Sequence, residues 1–207
     1  MITEEMLDAL RARVALGMSE KRFFHTREVE KMVARLGALY LPEETMSLRA
    51  AALLHDITKE YTTDEQCRIL RAHGKSVTEF DRYAPKTLHA RTAALLIPEQ
   101  YPEFADPEIL FCVRWHTTGR TGMSLGAKLV YLADYIDMSR TFPDCVSLRN
   151  FFFGGEPEKM DMAARLAHLR ETLILSYDMT IRALVEEGKP LSVDTAHARN
   201  ELICERT

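Results

Sequence analysis

The chain has 207 residues, 46% of them hydrophobic and 28% charged, with a formal net charge of -4. That is enough apolar material for a proper core, and the mild acidity speaks against a general nucleic-acid binder, which needs a basic stripe, while leaving room for a local cationic cluster around a small anion. Four cysteines, Cys67, Cys112, Cys145 and Cys204, form no C-x-x-C pair, so neither a zinc knot nor a secreted disulfide framework is expected.

The opening "MITEEMLDALRARVALGMSE" predicts a charged amphipathic helix rather than a signal peptide. No apolar run approaches the ~18 residues of a membrane span, so the expectation is a cytoplasmic protein with no membrane partner. "FFHTREVEKMVARLGALY" puts Val29, Met32, Val33 and Leu36 on one helical face, with Gly37 near its expected end. "LPEETMSLRAAALLHDI" opens on proline and acidic residues, as a helix N-terminus does. "TTDEQCRILRAHG" offers Thr62 and Glu65 as a capping box and Gly74 as the closing residue.

"TLHARTAALL" predicts a short helix that Pro98 should stop, and "DPEILFCVRWH" one with Asp106 as N-cap and Pro107 in the first turn. "SLGAKLVYLADYIDM" is strongly apolar behind Ser124, and a long amphipathic stretch from about Glu158 to Glu187 closes on Gly188 and Pro190 before a short helix from Asp194. Only "FCV" and "FFF" suggest strands, and neither alternates. The expected fold is all-α. No linker or repeat divides it, so one domain over 1–207 is expected, a core of about 19–140 with C-terminal helices of about 156–207 packed on it.

Several polar residues stand where those helices should be apolar. His25 lies four residues before Val29 and seven before Met32; His55 continues the stripe of Leu48 and Ala51; His89 shares a face with Ala93 and Leu96. His116 follows Ile109 and Val113, and Asp134 follows Ala127, Val130 and Tyr131. Any one such histidine is more often a core histidine bonded to a backbone carbonyl. Asp134 is harder to explain that way. A buried carboxylate costs several kcal/mol unless paired or metal-bound, and no lysine or arginine stands three or four residues from it on its helix.

With Asp56 beside His55, five or six separate satisfactions would be needed, whereas one shared metal centre satisfies all of them. Imidazole with carboxylate and no thiolate suits iron, manganese, zinc or cobalt. Neighbouring His55 and Asp56 point about 100° apart on a helix. Either a helix terminus lets one ion take both, or Asp56 bridges two ions, one held by His55 and the other by His89 and His116.

The order His25, His55-Asp56, His89, His116, Asp134 resembles the HD-domain metal-dependent phosphohydrolases. "HTREVEKMVARL", "AALLHDITK", "LHARTAALL", "VRWHTTGRTGMSLGAKLVYLADYIDMSRTFP" and "SVDTAHARNEL" are similar to the YqeK-type bacterial HD proteins over almost the whole chain. The resemblance implies a single HD-domain bundle that hydrolyses diadenosine tetraphosphate symmetrically to two ADP, with iron, two ions, as the metal and manganese or another divalent transition metal as the alternative. It implies that His25, His55, Asp56 and Asp134 hold one ion, with Asp56 shared, and that His89 and His116 complete the other.

On that basis water activated by metal is the expected nucleophile, and Asp56 and Lys59 are the catalytic candidates. Lys59, one turn beyond His55, and Arg120, just after His116, are expected to contact phosphates; Thr117, Thr118 and the backbone of Gly119 are expected at the nucleotide, with Arg140 a further candidate. His73, His168 and His197 fall in charged, solvent-facing contexts and are given no role. The expected partner is a dinucleoside polyphosphate or another nucleotide, and a homodimer remains open. Three rivals are another HD-type nucleotide phosphohydrolase acting on a nucleoside mono- or triphosphate, a nucleotide-binding sensor without turnover, and a structural bundle whose metal content would set it apart.

Overall fold

In a computed structural model, which describes residues 1–205, every regular element among the described residues is helical. Eleven α-helices occur: α1 (Glu4–Leu16), α2 (Glu20–Tyr40), α3 (Thr45–Leu54), α4 (Thr63–Ala72), α5 (Glu79–Tyr83), α6 (Leu88–Gln100), α7 (Pro107–Trp115), α8 (Leu125–Ile136), α9 (Pro143–Gly154), α10 (Met162–Glu186) and α11 (Val193–Cys204). Residues 206 and 207, the end of the expected C-terminal part, lie outside the described residues.

Local signals set most boundaries. Ser19 Oγ accepts the Arg22 amide at the start of α2, Thr62 and Glu65 form the expected reciprocal box at α4, Asp106 caps α7 and Ser124 caps α8. Packing then takes over. α2 lies against α3 and α8, α7 against α3, α6 and α8, and α9 and α10 against α8, with α11 on α10. One continuous apolar core runs from Leu7 in α1 to Leu202 in α11, so the C-terminal helices share it with the elements that carry the inward-facing histidines.

Four expectations need correction. Gly37 does not end α2; it lies one turn inside, where a Cβ would stand 2.8 Å from Thr45 Oγ1, so the missing side chain lets α3 approach. Pro98 does not stop α6. The helix gives up one backbone donor there and continues to Gln100, and the Tyr101 amide bonds the Ile97 carbonyl at 2.7 Å. The stretch expected from Glu158 starts later, because Asp161 caps α10 by accepting the Ala164 amide. "FFF" lies in α9, an element the periodicity does not announce: Phe152 is buried, and Phe151 and Phe152 stack on His168, which is therefore a half-buried packing residue and not a solvent-facing one.

Candidate metal centre

The polar side chains on the apolar stripes meet at one place, and they do so because they sit near helix ends. His25 is in the second turn of α2, and His89 is in the first turn of α6. His55 and His116 are the C-caps of α3 and α7, and Asp134 is in the last turn of α8. Three helix C-termini, each carrying partial negative charge, thus converge on a spot suited to cations. Because α3 ends at Leu54, His55 and Asp56 lie at a helix terminus, followed by a turn through residues 55–60. Thr58 fixes that turn against α6: its hydroxyl donates to the His89 carbonyl at 2.9 Å and lies 2.7 Å from the Thr92 hydroxyl.

Asp56 stands in the middle with its two oxygens facing different imidazoles. Oδ2 is 3.3 Å from His55 Nε2 and 3.7 Å from His25 Nε2; Oδ1 is 3.2 Å from His89 Nε2 and 3.8 Å from His116 Nε2. Asp134 Oδ1 lies 3.0 Å from His25 Nε2 and 3.8 Å from His55 Nε2. The ligand atoms of His25, His55 and Asp134, and those of His55, Asp56 and His116, each fall within 4.8 Å of one another.

The ring tautomers are set from outside. His55 Nδ1 lies 2.6 Å from the Ala52 carbonyl and His116 Nδ1 2.7 Å from the Val113 carbonyl, so each Nδ1 carries the proton and donates it. The bland expectation for a core histidine therefore holds for one nitrogen of each ring; the other is unpartnered in His55 and, in His116, lies 3.0 Å from His89 Nε2. His25 Nδ1 lies 2.9 Å from Ser139 Oγ and 3.5 Å from Asp137 Oδ2, and the Ser139 hydroxyl donates to Asp137. Such outer partners orient metal-binding imidazoles.

What remains at the centre is a set of buried atoms without hydrogen bonds: His25 Nε2, His55 Nε2 and Asp56 Oδ1, with Asp137 Oδ2 and Arg22 Nε beside them. The first three cluster at separations of 3.0–3.8 Å from their neighbours. Two ligand atoms about 2.1 Å from one ion stand roughly 3.0 Å apart at a right angle and roughly 3.4 Å at a tetrahedral angle. Orphaned atoms, neutral ligand tautomers and these spacings together fit a metal site.

Electrostatics favour the neutral form at His89 and His116 and the charged form at His25. Burial, the largest influence, pushes His116 down to about 4 and His89 well below the usual imidazole range, so both are neutral at neutral pH. Burial also opposes charge on His25, yet the Asp134 and Asp137 carboxylates beside it outweigh this and hold it up at about 9. Asp56 stays well below the carboxylate range: burial would raise it, but His55, Lys59 and His89 prevail.

The remaining expected residues divide. Lys59 brings its ammonium to 3.1 Å from His89 Nε2 and 4.0 Å from Asp56 Oδ1. Thr117 Oγ1 lies 3.1 Å from both His89 Nε2 and His116 Nε2. Arg140 is near the centre but occupied, donating to the Asp134 carbonyl at 2.9 Å and to its carboxylate at 2.5 Å. Asp134 therefore has a cationic partner after all, six residues on and past the end of its helix. Thr118 turns its hydroxyl to the Gly119 carbonyl.

Gly119 does not offer a free amide to a nucleotide. Its N–H bonds the Trp115 carbonyl at 2.9 Å, and its positive φ of 62° and the Tyr177 hydroxyl, 2.1 Å from where a Cβ would stand, explain the glycine. Arg120 lies against the Trp115 and Phe111 rings, 5.0 and 5.8 Å from their centroids, and does not line the cleft over the centre.

That cleft has a volume of about 680 Å³ and opens beside His25. Lys21, Arg22, Lys59, Lys86 and Arg140 make it strongly cationic, and Phe24 and Phe142 are exposed at it. Arg22 also donates to Asp56 Oδ2 at 2.7 Å. Arg22, Asp137 and Ser139 are the parts of the centre that sequence reasoning missed; Arg22 stands three residues before His25, one turn away on the same face, which was the available signal.

The HD domain family model matches residues 22–139, a span that holds all six inward-facing histidines and aspartates. The chain belongs to the HD domain family. Outside that span the likeness continues. A symmetrical bis(5'-nucleosyl)-tetraphosphatase from Halalkalibacterium halodurans is 30% identical over 91% of this chain and 92% of its own length. One of the same name from Bacillus subtilis is 29% identical over 90% and 91%. Among solved structures, a "predicted HD superfamily hydrolase involved in NAD metabolism" from Clostridium acetobutylicum shares 28% identity and superposes with a TM-score of 0.82, over 99% of this chain and 100% of that one. The all-α HD fold is thus shared end to end, and the converging His/Asp cluster lies inside the HD domain.

Proposed function

We propose that this HD-domain protein is a metal-dependent hydrolase that cleaves diadenosine tetraphosphate symmetrically into two ADP. The coarser part, a nucleotide phosphohydrolase, is supported by the HD domain and by two relatives named as symmetrical tetraphosphatases over nine-tenths of the chain. The observation that carries the finer part is the division of Asp56, one oxygen towards His25 and His55 and the other towards His89 and His116, beneath a cleft with five cations. His25, His55, Asp56 and Asp134 would hold one ion and Asp56, His89 and His116 the second, with iron first and manganese second. Bound divalent ions supply Lewis-acid polarisation of phosphoryl oxygens and bring the pKa of water from 15.7 towards ~7.

The chain's own residues do the positioning on which phosphoryl chemistry mainly rests. Lys59 neutralises the phosphate nearest Asp56, and the hydroxyl of Thr117 orients a phosphoryl oxygen on the His89 side. Arg22 and Lys86 hold the outer phosphates along the cleft. Arg140, bonded to Asp134, keeps that carboxylate oriented. Symmetrical cleavage places the second phosphorus from one adenosine at the centre: water's oxygen bonds to it, its bond to the central bridging oxygen breaks, that oxygen leaves on the second ADP, and water's protons pass to solvent.

The test is a product analysis of protein loaded anaerobically with ferrous iron, and separately with manganese, then given diadenosine tetraphosphate. ADP as sole product supports the reading. ATP with AMP refutes the registration of substrate over the centre, and cleavage of NAD or a nucleoside triphosphate in preference to the tetraphosphate refutes the substrate.

A further inference from the structure

A second cavity adjoins the centre at Thr117. Its volume is about 370 Å³, within the ~300–1,000 Å³ of ordinary ligand pockets. Phe80, Tyr83, Leu184 and Pro190 give it apolar and aromatic walls, supplied by α5, the end of α10 and the segment before α11. Tyr83 is 71% exposed, an aromatic ring that packing does not account for. Two residues join this pocket to the rest of the site. Thr117, whose hydroxyl stands 3.1 Å from His89 and His116, is part of its wall, and Lys86 lines both this pocket and the cationic cleft.

The centre therefore adjoins two pockets. The cleft with Phe24 and Phe142 adjoins the His25 half, and the Phe80/Tyr83 pocket adjoins the His89/His116 half, with Lys86 common to both. A mononucleotide has no use for two such pockets. A molecule with a nucleoside at each end of a polyphosphate fills both, with its phosphates passing Lys59 and Lys86. We propose that the Phe80/Tyr83 pocket is a second nucleoside subsite, in which a purine base lies against an aromatic ring, and that it makes the enzyme select dinucleoside over mononucleoside polyphosphates. Every nucleobase has a π-face, so stacking of this kind is tolerant of base identity.

This rests on the proposed hydrolase reading, and the experiment separates the two. Wild type and Leu184→Trp, which fills the pocket, would be compared for kcat/KM on diadenosine tetraphosphate and on adenosine 5'-tetraphosphate, which lacks one nucleoside. ADP bound per chain would be measured on the same proteins by equilibrium dialysis. The expected result is that wild type prefers the two-nucleoside substrate, that the variant's preference ratio falls about tenfold, and that bound ADP drops from two per chain to one. Tyr83→Ala, at an exposed position, should move the ratio the same way and serves if the tryptophan variant does not fold. An unchanged ratio with unchanged stoichiometry overturns the subsite. If wild type cleaves neither compound the hydrolase reading fails, and dialysis alone decides: two ADP falling to one sustains the subsite, and a single ADP in wild type overturns it.

Discussion

Two buried charge clusters share α2, and they differ in what is left unsatisfied. One leaves Arg27 Nε, 3.5 Å from Glu30, and the other a converging set of ring nitrogens and a carboxylate oxygen. Glu30, 3% exposed, receives Arg11 Nε at 3.0 Å and Arg49 at 3.0 Å, and both arginines reach on to Glu4. Five residues earlier His25 points into the other cluster, where buried ring nitrogens and a carboxylate oxygen face one another without a hydrogen bond. The Glu30 cluster ties α1, α2 and α3 together. The His/Asp cluster has the opposite property, since its unsatisfied atoms share one small volume and one tautomer pattern. Buried charge by itself therefore says little about function; the remainder left after counting partners is what marks a site.

The comparison can be broken at either end. The largest effect is expected for Asp56→Asn, which removes the carboxylate shared by both imidazole sets. Metals contribute several kcal/mol of charge stabilisation, so turnover should fall about 10³-fold or more and bound metal should fall with it. Retention of either in steady-state assays and elemental analysis would remove Asp56 from the centre. Glu30→Gln should behave in reverse. It leaves two arginines short of their buried partner, at a cost of about 3 kcal/mol in urea unfolding, with metal content unchanged. In metal-free protein, Asp56→Asn should cost less stability than Glu30→Gln.

A smaller effect sharpens the contrast. Asp137→Asn weakens the carboxylate beside His25 Nδ1 without touching the proposed ligands, so metal affinity should drop ~10–100-fold in a competition titration while the fold persists. Unaltered affinity would make Asp137 a structural residue only.

The smallest effect concerns Glu4, at the edge of the Glu30 cluster. Hydrogen bonds from Arg49, then Arg11, hold its pKa down at about 2 from the usual 4.5. A depressed carboxylate stabilises the fold above its unfolded pKa and loses that contribution as pH falls through the folded one. Wild type should therefore exceed Glu4→Gln by under about 1 kcal/mol above pH 4.5, because the pair is largely solvated, and the gap should close towards pH 2. Thermal melts of both proteins across that window would show it, and a gap independent of pH would contradict it.

The sequence made five of the six ligand candidates legible for a physical reason. His25, His55, His89, His116 and Asp134 sit at helical spacings from apolar residues, so inward direction follows from periodicity, while Asp56 is legible only through its place beside His55. Helix caps were legible at Ser124 and Asp106 because those interactions are local. What was hidden depends on tertiary approach. Glu30, in "REVEKM", looks like one more surface carboxylate until Arg11 and Arg49 arrive from α1 and α3. Arg140 pairs with Asp134 only because the chain folds back past Ile136, outside any helical spacing rule. Gly119 and Arg120 were placed at the nucleotide by nearness to His116, but the amide bonds Trp115 and the guanidinium turns to the aromatic rings. Pro98 shows that a helix near its last turn can lose one donor and continue.

The most direct test of the central claim is the metal content of the purified chain, measured by elemental analysis beside Asp56→Asn. Two transition-metal ions per wild-type chain, and loss of both occupancies in the variant, are predicted. A wild-type chain that binds none after anaerobic loading with ferrous iron or manganese would contradict the account, and would leave the buried histidines and aspartates as a cluster without an occupant.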